Sequence, residues 1–100
     1  MIKHIVMMRL KEVGAKERQE QLLQIKLKLD GLLGLVPSLK EMEVGLNFSD
    51  RDTAFDLVLV SLFDDDAGLE TYRVHPEHVK VLDYLKGKLE TTAVTDYSLG

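Results

Sequence analysis

The sequence predicts an α+β fold in which strands and helices follow one another in the order β-α-β-β-α-β. Two kinds of periodicity carry this prediction. Apolar residues alternate with other residues in four segments, as in strands, and recur at helical spacing in two further segments. The chain has 100 residues, of which 45% are hydrophobic and 30% are charged. This composition is typical of one globular domain, here spanning residues 1–100.

The first strand and the first helix have the clearest patterns. From Ile2 to Leu10 the side chains alternate, and His4 falls on the more apolar side of the strand. The spacing then becomes helical over residues 15–35. The predicted buried stripe of this helix contains six residues: Leu22, Ile25, Leu29, Leu32, Leu33 and Val36. Gly34 and Pro37 mark its end.

Two further strands are predicted to form a hairpin. Residues 38–48 alternate, and the polar segment 49–52 supplies the turn into residues 53–63. The second strand is apolar on nearly both faces, with Phe55, Leu57, Leu59 and Phe63 on one and Val58, Val60 and Leu62 on the other. Such a strand suits a central position that is covered on both sides.

A proline interrupts the second helical region. The three aspartates at 64–66 offer an N-cap and a negatively charged first turn. Because a residue that precedes proline is pushed out of the α region, we expect this helix to stop near Val74 and Pro76 to begin a second segment. The residues predicted on the buried side of that segment are Val79, Leu82, Leu85 and Leu89. Residues 91–99 are β-branched and alternating, and they close the chain as the last strand.

Right-handed crossovers fold this order into a four-stranded antiparallel sheet with both helical regions on one face, which is the ferredoxin-like arrangement. The helices then leave the other face bare, although the central strand is apolar on both sides. If four or five aliphatic side chains stayed exposed there, the fold would lose on the order of 5 to 10 kcal/mol of favourable free energy from their burial, which is comparable to the stability of a domain. We therefore predict a homodimer through the helix-free sheet faces, forming a dimeric α+β barrel. The alternative is a monomer with a ligand cleft or a solvated sheet.

The segment YRVHPEHV, residues 72–79, gathers two of the three histidines and one of the three tyrosines around a proline. Histidine acts as a base near neutral pH, and a tyrosine hydroxyl stabilises a developing oxyanion. Tyr72 and His78 can cooperate only if the break at Pro76 turns one helix end toward the start of the next. By spacing alone, the alternative is that His75 caps a restarted helix, His78 is solvated and Tyr72 is a packing residue.

Several segments together carry a family resemblance. They are MIKHIVMMRLK at residues 1–11, VPSLKEMEVGLN at 36–47, FDLVLVSLFDD at 55–65, YRVHPEHV at 72–79 and TDY at 95–97. From Ile2 to Tyr97 the chain resembles the stress-responsive A/B barrel proteins, also called the Dabb or dimeric α+β barrel family. The resemblance implies two ferredoxin-like subunits whose sheets face each other, each with a pocket between its own sheet and helices.

The resemblance also implies a function. Some plant members resemble this chain at Tyr72 and His78, and they use those positions to cyclise linear polyketides without a cofactor. The implied site therefore has Tyr72 and His78 as a catalytic acid–base pair, with His4 and His75 lining the pocket and an apolar small molecule as ligand. From the strand pattern alone, the alternative for His4 is a hydrogen-bonded histidine that is buried in the core and faces no ligand. Because the family includes proteins of unassigned role, a non-catalytic stress-response or assembly protein, with the dimer as its functional unit, is the alternative.

Charge and composition argue against several other functional classes of protein. A net charge of −4 and a pI near 5.3 argue against nucleic acid or an anionic membrane as partner, since both attract a basic face. The chain has no cysteine and no apolar run long enough for a transmembrane helix, so we expect a cytoplasmic location. It also lacks a nucleophile elbow and a glycine-rich phosphate loop, which argues against hydrolases and nucleotide-binding enzymes.

A metal site is a weaker interpretation of the same histidines. His75, Glu77 and His78 with His4 make up a His/carboxylate set. His75 precedes the helix and His78 lies in its first turn, so the two lack the i, i+4 geometry of helical zinc motifs. We therefore predict no metal ligands among them. A hard cation held by backbone carbonyls from Leu33 to Leu39 is a further alternative that leaves no mark on the sequence.

Overall fold

The computed structural model describes all residues from Met1 to Gly100. Its elements are β1 (Ile2–Leu10), α1 (Ala15–Asp30), β2 (Glu41–Leu46), β3 (Leu57–Phe63), α2 (Asp66–Val74), α3 (Pro76–Leu85) and β4 (Leu89–Ser98). The strands form one antiparallel sheet in the order β2-β3-β1-β4. This is the ferredoxin-like α+β fold that the sequence predicts. None of the helices has the length and apolar character needed to span a membrane.

The strand register decides which side chains face the helices. Val6 of β1 lies opposite Leu59 of β3 on one side and Val94 of β4 on the other, so these residues share the helix-covered face. Every second residue of β3 from Leu57 to Phe63 is buried, and the residues between them are half-buried. The prediction of β3 as a central strand is confirmed, and its odd-numbered side chains meet the helices.

Helix α1 covers part of this face and ends earlier than predicted. Three residues of the predicted stripe, Leu22, Ile25 and Leu29, are buried within the helix, and two more, Leu32 and Val36, are buried in the turn that follows it. The helix stops at Asp30, and Gly34 adopts a φ of +96°, a conformation that glycine reaches without steric cost. This turn leaves Leu33 exposed. Its predicted place in the buried stripe is therefore wrong.

The break between α2 and α3 is confirmed at His75. This residue has an extended backbone, with φ −64° and ψ 135°, and Pro76 begins α3. The predicted buried side of α3 is partly wrong. Leu85 is buried, but its partner on the helix is Val81, whereas Val79 and Leu82 are exposed and Leu89 already belongs to β4. The reason is that α3 packs mainly against α1 and α2, which rotates a different side of the helix toward the core.

The other face of the sheet carries no helix. Its centre is apolar, because Ile5 lies beside Val60 and Met7 lies beside Val58. Charged side chains lie toward its margins: Glu43 is on the edge strand β2, and Lys3 is near the end of β1. An apolar centre with a polar rim is the usual anatomy of a protein interface.

Candidate functional site

A cavity of about 540 Å³ lies between the helix-covered face of the sheet and the helices. Most of the side chains that line it are hydrophobic, and they come from both the sheet and the helices. It extends along β1 at least from His4 to Met8, which corresponds to roughly 14 Å at the rise of an extended strand. Val94 of the edge strand β4 lines the cavity and is 56% exposed, so the cavity opens to solvent beside β4.

The polar and apolar groups of the cavity are unevenly distributed. At one end, here called the reactive end, lie His4, Tyr72, His78 and Asp96. The chain reverses after α3, so the C-terminus of this helix and the start of β4 lie at the opposite end. That end, here called the apolar end, is lined by Met8, Leu85 and Leu89, with Lys86 and Thr92 beside them. The arrangement suits an elongated molecule with a polar head.

Tyr72 lies near the C-terminus of α2 and is almost completely buried, with 1% of its surface exposed. Its ring packs against Phe63 at a centroid distance of 5.1 Å and against His78 at 4.2 Å. Its hydroxyl is buried without a hydrogen-bond partner. Burial raises the pKa of this phenol to about 12, so it stays protonated at neutral pH. Tyr72 is therefore a residue of the cavity lining whose hydroxyl is an unused hydrogen-bond donor.

His78 occupies the first turn of α3. Its Nδ1 lies 3.0 Å from the backbone oxygen of Arg73, and because a carbonyl only accepts, this nitrogen carries the proton of the neutral ring. The other nitrogen, Nε2, is then the basic atom. Burial is the main cause that lowers the pKa of His78; the hydrogen bond to the Arg73 carbonyl opposes it, and electrostatic interactions with His4, Arg73 and His75 lower the pKa further. His78 is therefore a neutral base at physiological pH.

His4 forms a second polar group at the reactive end. Its ring centroid is 6.4 Å from that of Tyr72. Its Nδ1 donates to the Oδ1 atom of Asp96, which lies directly opposite on β4. Sequence reasoning missed Asp96. The only available signal was that the first and last strands are neighbours in this topology, and that signal does not fix the register that pairs these two residues.

The family resemblance implies a pocket position for His75, but His75 is not among the residues that line this cavity. Its Nδ1 accepts a hydrogen bond of 3.1 Å from the backbone N–H of Glu77. The helix that begins at Pro76 needs a cap for its free N–H groups, and His75 supplies it. No group of three or more His, Cys, Asp or Glu side chains is arranged to hold a metal ion.

The arrangement at the reactive end is suited to acid–base chemistry on a carbonyl compound. A neutral imidazole accepts a proton, and a protonated phenol next to it stabilises negative charge on oxygen. The two rings are in contact, and both residues line the same cavity. Each group is held in the required protonation state by burial, which is a common feature of catalytic sites.

A family model described as the Stress responsive A/B Barrel Domain matches residues 2–99. No curated protein matches the chain. Similar solved structures include a dimeric protein of unknown function and ferredoxin-like fold from Bacteroides fragilis, with 29% identity and a TM-score of 0.90 over 98% of this chain and 95% of the other. A dimeric ferredoxin-like protein of unknown function from Jannaschia sp. has 27% identity and a TM-score of 0.74 over 98% of each chain. The hydroxynitrile lyase of Passiflora edulis shares the fold at 20% identity, with a TM-score of 0.79 over 99% of this chain and 93% of the lyase.

Proposed function

The chain belongs to the stress responsive A/B barrel family, and on that premise we propose that it is a homodimeric small-molecule pocket protein with Tyr72 and His78 as an acid–base pair. The observation that carries the proposal is the Tyr72 hydroxyl, which is buried without a hydrogen-bond partner in a residue that lines the same cavity as His78. Leaving such a group unsatisfied costs about 1 to 3 kcal/mol. A ligand with an oxygen acceptor would supply the missing hydrogen bond.

The proposed reaction is a cofactor-free ring closure of the aldol type. His78 Nε2 removes a proton from a carbon next to a carbonyl group, while Tyr72 donates a hydrogen bond to the carbonyl oxygen as it becomes an enolate. The enolate carbon attacks a second carbonyl carbon of the same molecule and forms the new carbon–carbon bond. The oxygen of that second carbonyl then takes the proton from the His78 imidazolium. The base is regenerated, and no electrons are gained or lost overall.

The shape of the cavity favours a linear, largely aliphatic substrate. The groups proposed to react with it lie at the reactive end, whereas Met8, Leu85 and Leu89 form the apolar end. An aliphatic tail that fills the apolar end would place a carbonyl head beside Tyr72 and His78. Burial of the tail would contribute about 0.8 kcal/mol for each methylene group.

Two observations support the homodimer. Similar structures at 29% and 27% identity are described as dimeric. The helix-free face of this chain is also apolar at its centre, with Met7 exposed there. We propose that two such faces pack together. In the non-catalytic alternative the dimer alone is the functional unit and the helix-covered core has no need of a cavity, so the 540 Å³ cavity favours the pocket protein.

A binding series tests the proposal. The parent chain, His78→Ala and Tyr72→Phe are titrated with straight-chain methyl ketones from acetone to 2-undecanone, with melting temperature as the readout. We expect the shift to grow with chain length until the apolar end is full, and to be smaller for Tyr72→Phe, which lacks the donor. A shift that is independent of chain length, or that is equal in all three proteins, would contradict it. Light scattering at micromolar concentration tests the dimer, and a monomer of 11.3 kDa would refute it.

A further inference from the structure

The apolar end of the cavity is bordered by a lysine. Lys86 and Gly87 line the cavity next to Leu85 and Leu89. The backbone of Lys86 has left the helical conformation of α3, with φ −56° and ψ 132°. Gly87 then takes a φ of +81°, which glycine reaches without steric cost. This tight turn carries the chain from α3 into β4 and sets Lys86 at the edge of the cavity.

The ammonium group of Lys86 is available to a ligand. Its ion-pair partner is Asp83, at 3.3 Å, and both side chains of this pair are largely exposed to solvent. Ion pairs of exposed side chains contribute little to stability, because water solvates both charges well. Lys86 can therefore exchange Asp83 for a carboxylate in the cavity at little cost.

Two more lysines lie close to the same turn. The Nζ atoms of Lys28 and Lys88 are 4.5 Å and 4.3 Å from the centre of the Tyr84 ring. Lys88 also donates from Nζ to the Tyr84 carbonyl at 3.1 Å. Neither lysine forms an ion pair with a carboxylate. One tyrosine ring thus holds two uncompensated positive charges next to the turn that carries Lys86.

The charge at the reactive end is balanced in a different way. Arg73 lines the cavity there, but its guanidinium forms an ion pair with Glu70 at 2.6 Å. Asp96 adds a negative group and accepts a hydrogen bond from His4. The chain as a whole has a net charge of −4, so the lysines at the apolar end are a local exception. A cleft with one positive end attracts and orients an anion.

We infer that the substrate is an aliphatic oxo acid, whose carboxylate lies at the end of the chain opposite to the reacting carbonyl and binds Lys86. Lys28 and Lys88 add to the positive field at that end. The inference rests on the proposed function and names the class of its substrate. The cavity spans roughly 14 Å along β1. An extended chain advances about 1.2 Å for each bond, so an acid of about eleven carbons fills this length.

Isothermal titration calorimetry with a matched pair of probes tests the inference. The probes are 2-undecanone and 10-oxoundecanoate. They have the same carbon chain and the same methyl ketone, and they differ only at the far terminus, which is a methyl group in the first and a carboxylate in the second. We expect the parent chain to bind the oxo acid at least about fivefold more tightly at low ionic strength, the effect of one partly desolvated ion pair. High salt should reduce this advantage, because it screens the charges.

Two lysine variants locate the carboxylate. Lys86→Met removes the charge from the edge of the cavity and keeps an unbranched side chain. It should abolish the preference for the oxo acid, since the carboxylate would then lie beside apolar groups without a partner. Lys80→Met is the matched control. Lys80 is also on α3 and also pairs with an acid three residues earlier, Glu77 at 3.1 Å, but it does not line the cavity. This control should keep the preference of the parent chain.

The outcomes separate the inference from the proposed function. If neither probe binds the parent chain, both are overturned. If 2-undecanone binds and the oxo acid has no advantage, the inference alone is overturned. A preference that survives Lys86→Met overturns it as well, because the carboxylate then binds elsewhere, for example beside Arg73 at the reactive end. An equal loss of affinity for both probes in Lys86→Met would make Lys86 a structural residue and would also overturn it.

Discussion

The rings of Tyr72 and His78 lie 4.2 Å apart at an interplanar angle of 34°, although a helix end, a proline and a new helix start separate them in the chain. The extended backbone of His75 produces this contact, because it ends α2 and lets α3 set out in a new direction. The same break frees the Arg73 carbonyl, which in a continuous helix would accept a backbone hydrogen bond from the residue four positions later. Here the carbonyl instead fixes the tautomer of His78.

Replacing His78 with alanine should abolish most of the activity while leaving ligand binding largely intact. A positioned general base contributes typically 10² to 10⁴-fold, so kcat should fall by about that factor and KM should change less. Steady-state kinetics with any carbonyl compound that the protein converts measures both kcat and KM. His75→Ala is the control: it removes the cap of α3 and about 1 kcal/mol of stability, and it should leave kcat within a fewfold. Equal losses of kcat in the two variants would remove the catalytic role of His78.

Replacing Tyr72 with phenylalanine should make the protein more stable and less active. The change deletes a buried hydroxyl that has no partner, so unfolding should cost about 1 to 3 kcal/mol more in the variant. Turnover should fall by up to about 10² to 10³-fold, because the donor to the oxyanion is lost. Urea denaturation and kinetics on the same sample provide the two numbers. A variant that is destabilised and fully active would contradict both parts.

The pKa of His78 should lie below its ordinary value of 6.5, because burial disfavours the imidazolium. Between the lowered folded value and the unfolded value near 6.5, the unfolded chain binds more protons, so stability rises with pH in this window. Above pH 6.5 the His78 ring is neutral in both states, and the free energy of unfolding has its full value. This free energy then decreases as the pH falls through the folded pKa of His78. Proton NMR titration of the ring measures this pKa, and His78→Gln should flatten the stability profile. A titration midpoint above 6.5 would contradict the account.

The dependence of kcat/KM on pH should follow the titration of His78. On the acid side, kcat/KM should rise as the pH increases through the apparent pKa of His78, because only the neutral ring is a base. It should then stay level through neutral and mildly alkaline pH, since burial holds the pKa of Tyr72 at about 12. Loss of activity between pH 8 and 10, within the stable range of the protein, would rule out protonated Tyr72 as the donor.

A bulky residue at Val94 should close the cavity without harming the fold. This side chain is largely exposed at the open side of the cavity beside β4, so Val94→Trp has space to extend across the mouth. We expect at least about a tenfold loss in ketone affinity with an unchanged melting temperature. Leu23→Trp, an exposed position on α1, is the control for adding an indole to the surface. Unchanged affinity in Val94→Trp would place the binding site elsewhere.

The fold was predictable because local patterns and topology agree. Alternation in β1 and β3, helical spacing in α1 and the proline at position 76 leave few arrangements for a chain of this length. The buried side of α3 was not predictable in the same way. Its sequence offers apolar residues on more than one side, and the choice of Val81 over Val79 depends on how α3 packs against α1 and α2.

The site was predictable in its residue types and only partly in its geometry. The concentration of histidine and tyrosine around Pro76 directs attention to Tyr72 and His78, and the strand pattern gives the side of the sheet on which His4 lies. The partner of His4 is Asp96, ninety-two positions away, and the sequence pattern does not determine the register of β1 against β4. His75 was assigned to the pocket by resemblance, but the capping requirement of α3 uses its Nδ1.

Deuterium exchange at a ketone tests the central claim most directly, because it needs no knowledge of the natural substrate. The probe is 2-nonanone in D₂O at neutral pH, and proton NMR follows the loss of signal from the carbons next to its carbonyl. If His78 removes such a proton while Tyr72 holds the oxygen, the parent chain should accelerate exchange well above buffer. His78→Ala should then lower the protein-catalysed rate by about 10² to 10⁴-fold, and Tyr72→Phe by a similar or smaller factor. No acceleration by the parent chain, or full acceleration by His78→Ala, would contradict the account.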